Sequence, residues 1–223
     1  MRRWLRWLIG VGIGLLVLIG LIFLWNKLEY FTPHPLIAHQ RISITLPYSP
    51  ANEATNMISM GETIAHNFYG GHPGIDFQWD HSVPLIAVAD AKVVSIKNSS
   101  DMGEPVVTLT LKSSGYLIVY QELEKVGPGI AKGTTVTRGE TVGYPHCHVN
   151  IDQNGASRTS CQTHWEFGYS RLAPGFDRLC PLTYFDTDAR VRIEKLWNSV
   201  PASDRFKQNA PNICSNIYFN RDQ

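Results

Sequence analysis

The chain has almost no charge imbalance: 20 Lys and Arg stand against 19 Asp and Glu, leaving a formal net charge of +1. Without a basic excess there is no electrostatic footprint for a phosphate backbone, so no nucleic-acid partner is expected. No Cys-x-x-Cys pair occurs among the 4 cysteines, which argues against a zinc site built from cysteines alone. No cysteine at all precedes Cys147. The middle of the chain also lacks long amphipathic helical patterns between its apolar runs. That absence excludes an alternating strand-and-helix architecture and leaves an antiparallel sheet or sandwich.

One stretch lacks charge altogether. From Trp7 to Trp25 the chain is apolar, rich in Leu, Ile, Val and Gly, and preceded by Arg2, Arg3 and Arg6. Such a run matches the length of helix that crosses a hydrocarbon core of about 30 Å. The following Asn26-Lys27-Leu28-Glu29-Tyr30-Phe31 offers no small-residue cleavage site, so residues 7–25 are expected to remain as a membrane anchor and not to be removed as a signal peptide. The arginines in front place the N-terminus in the cytoplasm. Everything beyond Trp25 is then expected across the inner (cytoplasmic) membrane, as a single-pass protein with a periplasmic or extracellular body.

After the tip and anchor, residues 1–27, the prolines at 33, 35, 47 and 50 mark residues 28–65 as a tether, with one expected strand over Arg41–Leu46. Residues 66–185 form the β-rich body. Leu85–Ala89, Lys92–Ile96, Val106–Leu111 and Tyr116–Tyr120 are short, β-branched or aromatic, and separated by turn residues such as Asn98, Gly103, Ser113 and Gly115. The predicted fold class is mostly β, with a short, partly helical C-terminal extension over residues 186–223. In that extension Val191, Leu196 and Trp197 have partial helical spacing within Asp188–Trp197.

All the cysteines lie beyond the apolar run. In an oxidising compartment an even number implies two disulfides, for which three connectivities are open. Cys147 with Cys161 and Cys180 with Cys214 is the favoured pairing, because the second bond fastens the extension to the end of the β body.

The chemistry concentrates around Gly70-Gly71-His72-Pro73-Gly74-Ile75-Asp76. Pro73 and Gly74 make a helix the least favourable conformation there, so a loop running into a strand is expected. In such a loop His72 and Asp76 can converge, and neutral imidazole with carboxylate oxygen is an ordinary zinc ligand pair. A third ligand is expected from His164, on one face of the apolar and aromatic alternation Gln162-Thr163-His164-Trp165-Glu166-Phe167. A second register is open in which His146-Cys147-His148, with Cys147 reduced, supplies the metal-binding histidines.

The order of these segments (Gly71–Phe77, Val83–Val94, Tyr120–Leu123, Lys132–Gly143, His164–Phe167) resembles the lysostaphin-type, LytM-like zinc peptidases, which cut peptide cross-links in bacterial cell walls. The likeness runs over roughly residues 66 to 185. It implies one zinc ion held by His72, Asp76 and His164, and peptidoglycan peptides as substrate. Two active-site positions depart from the pattern, because the family's non-ligand active-site histidines are replaced by Glu122 and Gln162; a third departure is Ala91, where a turn glycine is usual. Glu122 can serve as general acid and base, whereas Gln162 can only donate a hydrogen bond to a developing oxyanion. His146 and His148, expected in the loop that follows Gly143 and leads towards Gln162, are candidate substitutes if the Cys147–Cys161 bond tethers them beside the site. A different class of function stays open: a metal-binding envelope protein without activity, which binds the wall or regulates other cell-wall hydrolases. A hydrolase acting on other peptides is a third reading.

Overall fold

The β-branched and aromatic alternation between residues 75 and 170 suits a pleat with one face buried, and it builds a sheet of ten strands, all antiparallel. The computed structural model describes residues 41–64, 70–101, 103–151, 157–170 and 176–218, with Gly12, residues 14–21 and Leu24. The strands are β1 (Asn56–Ile58), β2 (Ile75–Trp79), β3 (Leu85–Ile86), β4 (Ala91–Asp101), β5 (Glu104–Ser113), β6 (Tyr116–Val126), β7 (Thr135–Val136), β8 (Thr141–Ile151), β9 (Ser157–Ser170) and β10 (Phe176–Arg178). Their order is β1-β2-β9-β8-β6-β5-β4-β7, with β10 on β9, β3 on β8, and β9 also pairing β6. The expected sheet is thus one curled sheet, not two stacked ones.

The strand β9 organises the sheet. On one edge it pairs β2 through Ile75↔Trp165 to Trp79↔Cys161 and then β10 through Arg178↔Gly168. On the other it pairs β6 through Gln121↔His164 and β8 through His146↔Gln162. Cys161, Thr163, Trp165, Phe167 and Tyr169 are buried on one face, where Trp165 and Phe167 pack with Phe77, Tyr116 and Tyr184. Because the pleat has a period of two, Gln162, His164 and Glu166 must share the opposite face. Their alternation with the core residues is what brings polar groups into register with Asp76 and Gln78 of β2.

Several expectations change in detail. Residues 41–48 make only isolated bridges, Ile44↔Phe185 and Tyr48↔Leu85, in place of a regular strand. The alternation there is nonetheless real, since Ile44, Leu46 and Tyr48 are fully buried in the core they share with the sheet. Tyr144 to His148, expected in a loop, lies inside β8, because Pro145 sits opposite Leu123 where β6 is irregular. Asn98, expected in a turn, is inside the long β4. Of the expected membrane span over residues 7–25, residues 7–11, 13, 22, 23 and 25 lie outside the described residues, as do residues 28–40 of the tether. Residues 14–21 are helical, and among the described residues no helix is long and apolar enough to cross a membrane.

The C-terminal extension folds back onto the sheet. Helix α1 (Thr187–Ser199) starts at Asp186, whose side chain accepts from the Ala189 amide at 2.7 Å. It buries Ala189, Ile193, Leu196 and Trp197, an i, i+4, i+7, i+8 stripe; Val191, expected on that face, is exposed. Helix α2 (Arg205–Asn209) follows, capped by Asp204. Both disulfides form as favoured, Cys147–Cys161 across the neighbouring strands β8 and β9 and Cys180–Cys214 between sheet and extension. Cys147 and Cys161 are 14 residues apart, and closing a loop of that size in the unfolded chain is worth about 3 kcal/mol in the chain-entropy picture. Cys147→Ser with Cys161→Ser is therefore expected to cost about 3 kcal/mol, read as a lower denaturant midpoint. A midpoint equal to wild type would show that the bond constrains nothing.

Candidate metal centre

Gly71 enters the site with φ +82°, and a Cβ there would lie 2.4 Å from the Gly61 carbonyl oxygen. This close approach lets residues 61–62 clamp the backbone of the next residue. The His72 amide donates to Glu62 O at 2.6 Å, and the Gly61 amide to His72 O at 2.8 Å. Two residues on, Gly74 runs under the His164 ring, where a Cβ would sit 2.8 Å from Cε1. β2 then carries Asp76 into direct register with His164.

Three side chains from three segments meet here. His164 Nδ1 is 2.7 Å from Asp76 Oδ1 and 2.9 Å from His72 Nε2, and His72 Nε2 is 3.1 Å from Asp76 Oδ1. All three residues are buried. Each imidazole turns its other nitrogen onto an acceptor: His72 Nδ1 lies 3.1 Å from the Ser59 carbonyl oxygen, and His164 Nε2 lies 3.2 Å from Glu166 Oε1. Glu166 in turn accepts from Arg178 Nε at 2.8 Å. A proton held on each outer nitrogen leaves the inner lone pairs aimed at Asp76, which is the tautomer a metal requires.

The electrostatics agree. Burial works to raise the Asp76 carboxyl, but the neighbouring His72 and His164 outweigh it and hold Asp76 well below the usual carboxylate range. For His164 burial works downward, and hydrogen bonds with charge attraction from Asp76 and Glu166 overcome it, pushing the imidazole up to about 10. Glu166 is likewise lowered by His164 and Arg178 against the effect of its burial. The contacts that favour a proton on His164 are the ones with which a divalent cation bound by the trio would compete.

Beside this trio lies a chain of polar side chains. Gln162 Nε2 donates to Glu122 Oε2 at 2.9 Å, and Gln162 Oε1 faces Gln78 Nε2 at 3.5 Å. Glu122 has φ +57°, a left-handed conformation for a residue with a side chain. It is the extra residue of a β-bulge: Leu109 faces Tyr120 and Val107 faces Leu123, so β6 spends three steps where β5 spends two. At that point β6 also ends its pairing with β9 at Gln121 and takes up pairing with β8 at Leu123.

The structure thus brings His72, Asp76 and His164 together, and Glu122 onto Gln162. It does not bring His146 and His148 into side-chain contact with them. His146 is paired across the sheet with Gln162, but both imidazoles meet Glu104 instead. Cys147, reduced in the alternative register, is disulfide-bonded, and it is His164 on β9, not His146 or His148 on β8, that meets Asp76. Sequence reasoning missed Ser59 and Arg178 and gave Glu166 no role. Glu166 had a signal, since it stands two residues from His164 on a strand and must share its face. Arg178 had none, because it arrives only through the β10–β9 pairing.

Because Arg178 holds the carboxylate that orients His164, Arg178→Ala is expected to weaken zinc binding by about 10-fold or more, measured by competition with a chelator. Unchanged affinity would show that Glu166 needs no support.

Residues 70–168 match Peptidase family M23. Among solved structures the chain is similar to a zinc-containing peptidase from Vibrio cholerae, with 18% identity over 58% of this chain and 37% of that one, TM-score 0.42. It is also similar to the catalytic domain of lysostaphin from Staphylococcus simulans, with 16% identity over 60% and 92%, TM-score 0.40. A third is an M23 protein from Enterococcus faecalis, 20% identical over 63% and 96%, TM-score 0.42. The chain spans 37–46% of the length of the Vibrio protein and of Helicobacter pylori Csd3. No curated protein matches it. The stretch that matches the family M23 model, Gly70 to Gly168, is the one that carries the three converging side chains with Glu122 and Gln162.

Proposed function

We propose that this domain is a zinc-dependent peptidase acting on peptide bonds in bacterial peptidoglycan, held to the membrane by residues 7–25. The observation that carries the reading is the buried His72–Asp76–His164 trio, with both outer imidazole nitrogens already committed to acceptors. Two imidazoles and one carboxylate fit a catalytic zinc site, which takes three protein ligands and keeps a further position open. A zinc ion held there supplies Lewis acidity toward the scissile carbonyl and the attacking water.

The protein's own groups do the rest. Glu122, half-buried at its bulge, takes the proton from the attacking water and returns it to the leaving amine. One N–H of the Gln162 amide holds Glu122 in place, and the other serves as donor to an oxyanion. Ser59, Glu166 and Arg178 keep the two imidazoles turned inward. The two disulfides fit an oxidising compartment on the far side of a membrane, which supports the anchored, periplasmic or extracellular placement.

A second reading is a metal-holding envelope protein without activity, which binds the wall or regulates other hydrolases. It is favoured by Gln162, which cannot carry a proton, standing next to Glu122. Digestion of purified sacculi by the full-length protein separates the two. Release of peptide fragments by wild type, and none by Glu122→Ala or His164→Ala, is the expected result. No release from any of the three would favour the second reading.

A further inference from the structure

His146 and His148 alternate on β8, so both project from the face opposite Cys147, which is bonded to Cys161. There they meet Glu104, the first residue of β5. His146 Nε2 lies 2.6 Å from Glu104 Oε2 and His148 Nδ1 3.4 Å from the same atom, with the two rings edge to face at 4.4 Å. One ligand atom from each of the three residues falls within 4.8 Å of the others. The His146 side chain is 10% exposed, that of His148 21% and that of Glu104 52%. His146 Nδ1 and His148 Nε2 are buried and have no hydrogen-bond partner among the described residues.

We infer that Glu104, His146 and His148 form a second divalent-cation site of the zinc class, one strand away from the first on the same face of the sheet. Two imidazoles and a carboxylate are the donor set found in the first site, and they suit zinc for the same reason. Ligand atoms about 2.0–2.2 Å from a tetrahedral ion stand about 3.4 Å apart. The His148 to Glu104 separation already has that value. The His146 to Glu104 separation must widen, which a half-exposed carboxylate at a strand end can accommodate.

The site differs from the first in one respect that fixes its affinity. His72 and His164 each have an outer nitrogen held by an acceptor, whereas His146 and His148 have none. Loss of such orienting partners costs about 10- to 100-fold in metal affinity. The second site is therefore weaker than the first by about that factor and, with Glu104 open to solvent, exchanges faster.

The test is a titration of the chelator-stripped, untagged full-length chain with Zn²⁺ alone. Wild type is expected to bind two ions per chain, the second about 10- to 100-fold more weakly. His146→Ala with His148→Ala should lose the weaker class and keep the tighter one; His164→Ala should do the reverse. Glu104→Gln, which preserves shape, should weaken the second class about 10-fold or more if the double variant does not fold. The inference is overturned if wild type binds a single ion that His164→Ala removes, or if the weaker class survives in the double variant. A stoichiometry that His164→Ala leaves intact would instead strike at the His72–Asp76–His164 assignment, so the two failures are distinguishable.

Discussion

Glu122→Gln is expected to slow peptide release from sacculi by about 10²- to 10⁴-fold, the range typical for removing a general acid–base group, while zinc content stays at the wild-type level. The substitution keeps the size of the side chain and the oxygen that accepts from Gln162, so the 2.9 Å contact survives and only proton-carrying capacity is lost. Zinc retention follows because Glu122 is no part of the His72–Asp76–His164 trio. The backbone adds a second signature. A non-glycine residue at φ +57° is strained by about 1–2 kcal/mol relative to glycine, and such strain persists where the side chain has a task. Glu122→Gly should therefore be as inactive as Glu122→Gln yet at least as stable as wild type to denaturant. Activity in Glu122→Gln within a few fold of wild type would remove Glu122 from the chemistry.

The three candidate ligands were legible because each carries its own local signal: Pro73 and Gly74 deny a helix between His72 and Asp76, and strand alternation puts His164 on a polar face. Their meeting was not legible from spacing, since it depends on β2 pairing β9 at Asp76↔His164, 88 residues apart in the chain. Glu122 was found through its place in a family pattern; the bulge that aims it has no turn glycine to announce it. The segment around His146, which the turn signal at Gly143 marks as a loop, folds as a strand in spite of Pro145. It is admitted where β6 shifts register between Leu123 and Lys125 and the ladder is already broken. The phase of α1 was misjudged for a related reason. Val191 is β-branched and apolar but faces solvent at 60% exposure, while the small Ala189 takes the buried position against the core. Support for the imidazoles comes from Ser59 and Arg178, and contacts with such distant partners leave no trace in local composition.

Gly74→Ala is expected to abolish tight zinc binding, by about 100-fold or more, without unfolding the protein. A methyl group at this position would lie 2.5 Å from the Trp165 carbonyl oxygen and 2.8 and 2.9 Å from Cε1 and Nε2 of His164. None of these neighbours can yield cheaply. Trp165 O belongs to the backbone of β9, and the Trp165 side chain is packed against Phe77 and Phe167. The His164 ring is held on both sides, by Asp76 at 2.7 Å and Glu166 at 3.2 Å, so moving it breaks the arrangement that points Nδ1 at the other ligands. Overpacking of this kind costs about 1–3 kcal/mol, which a domain with two disulfides and a continuous core survives. Thermal melting should therefore show a folded protein, while chelator competition shows the tight zinc class gone. Gly74→Ala with wild-type zinc affinity would mean that β2 can shift away from β9 without disturbing the ligands, and the close packing of Gly74 beneath His164 would have no part in holding the centre together.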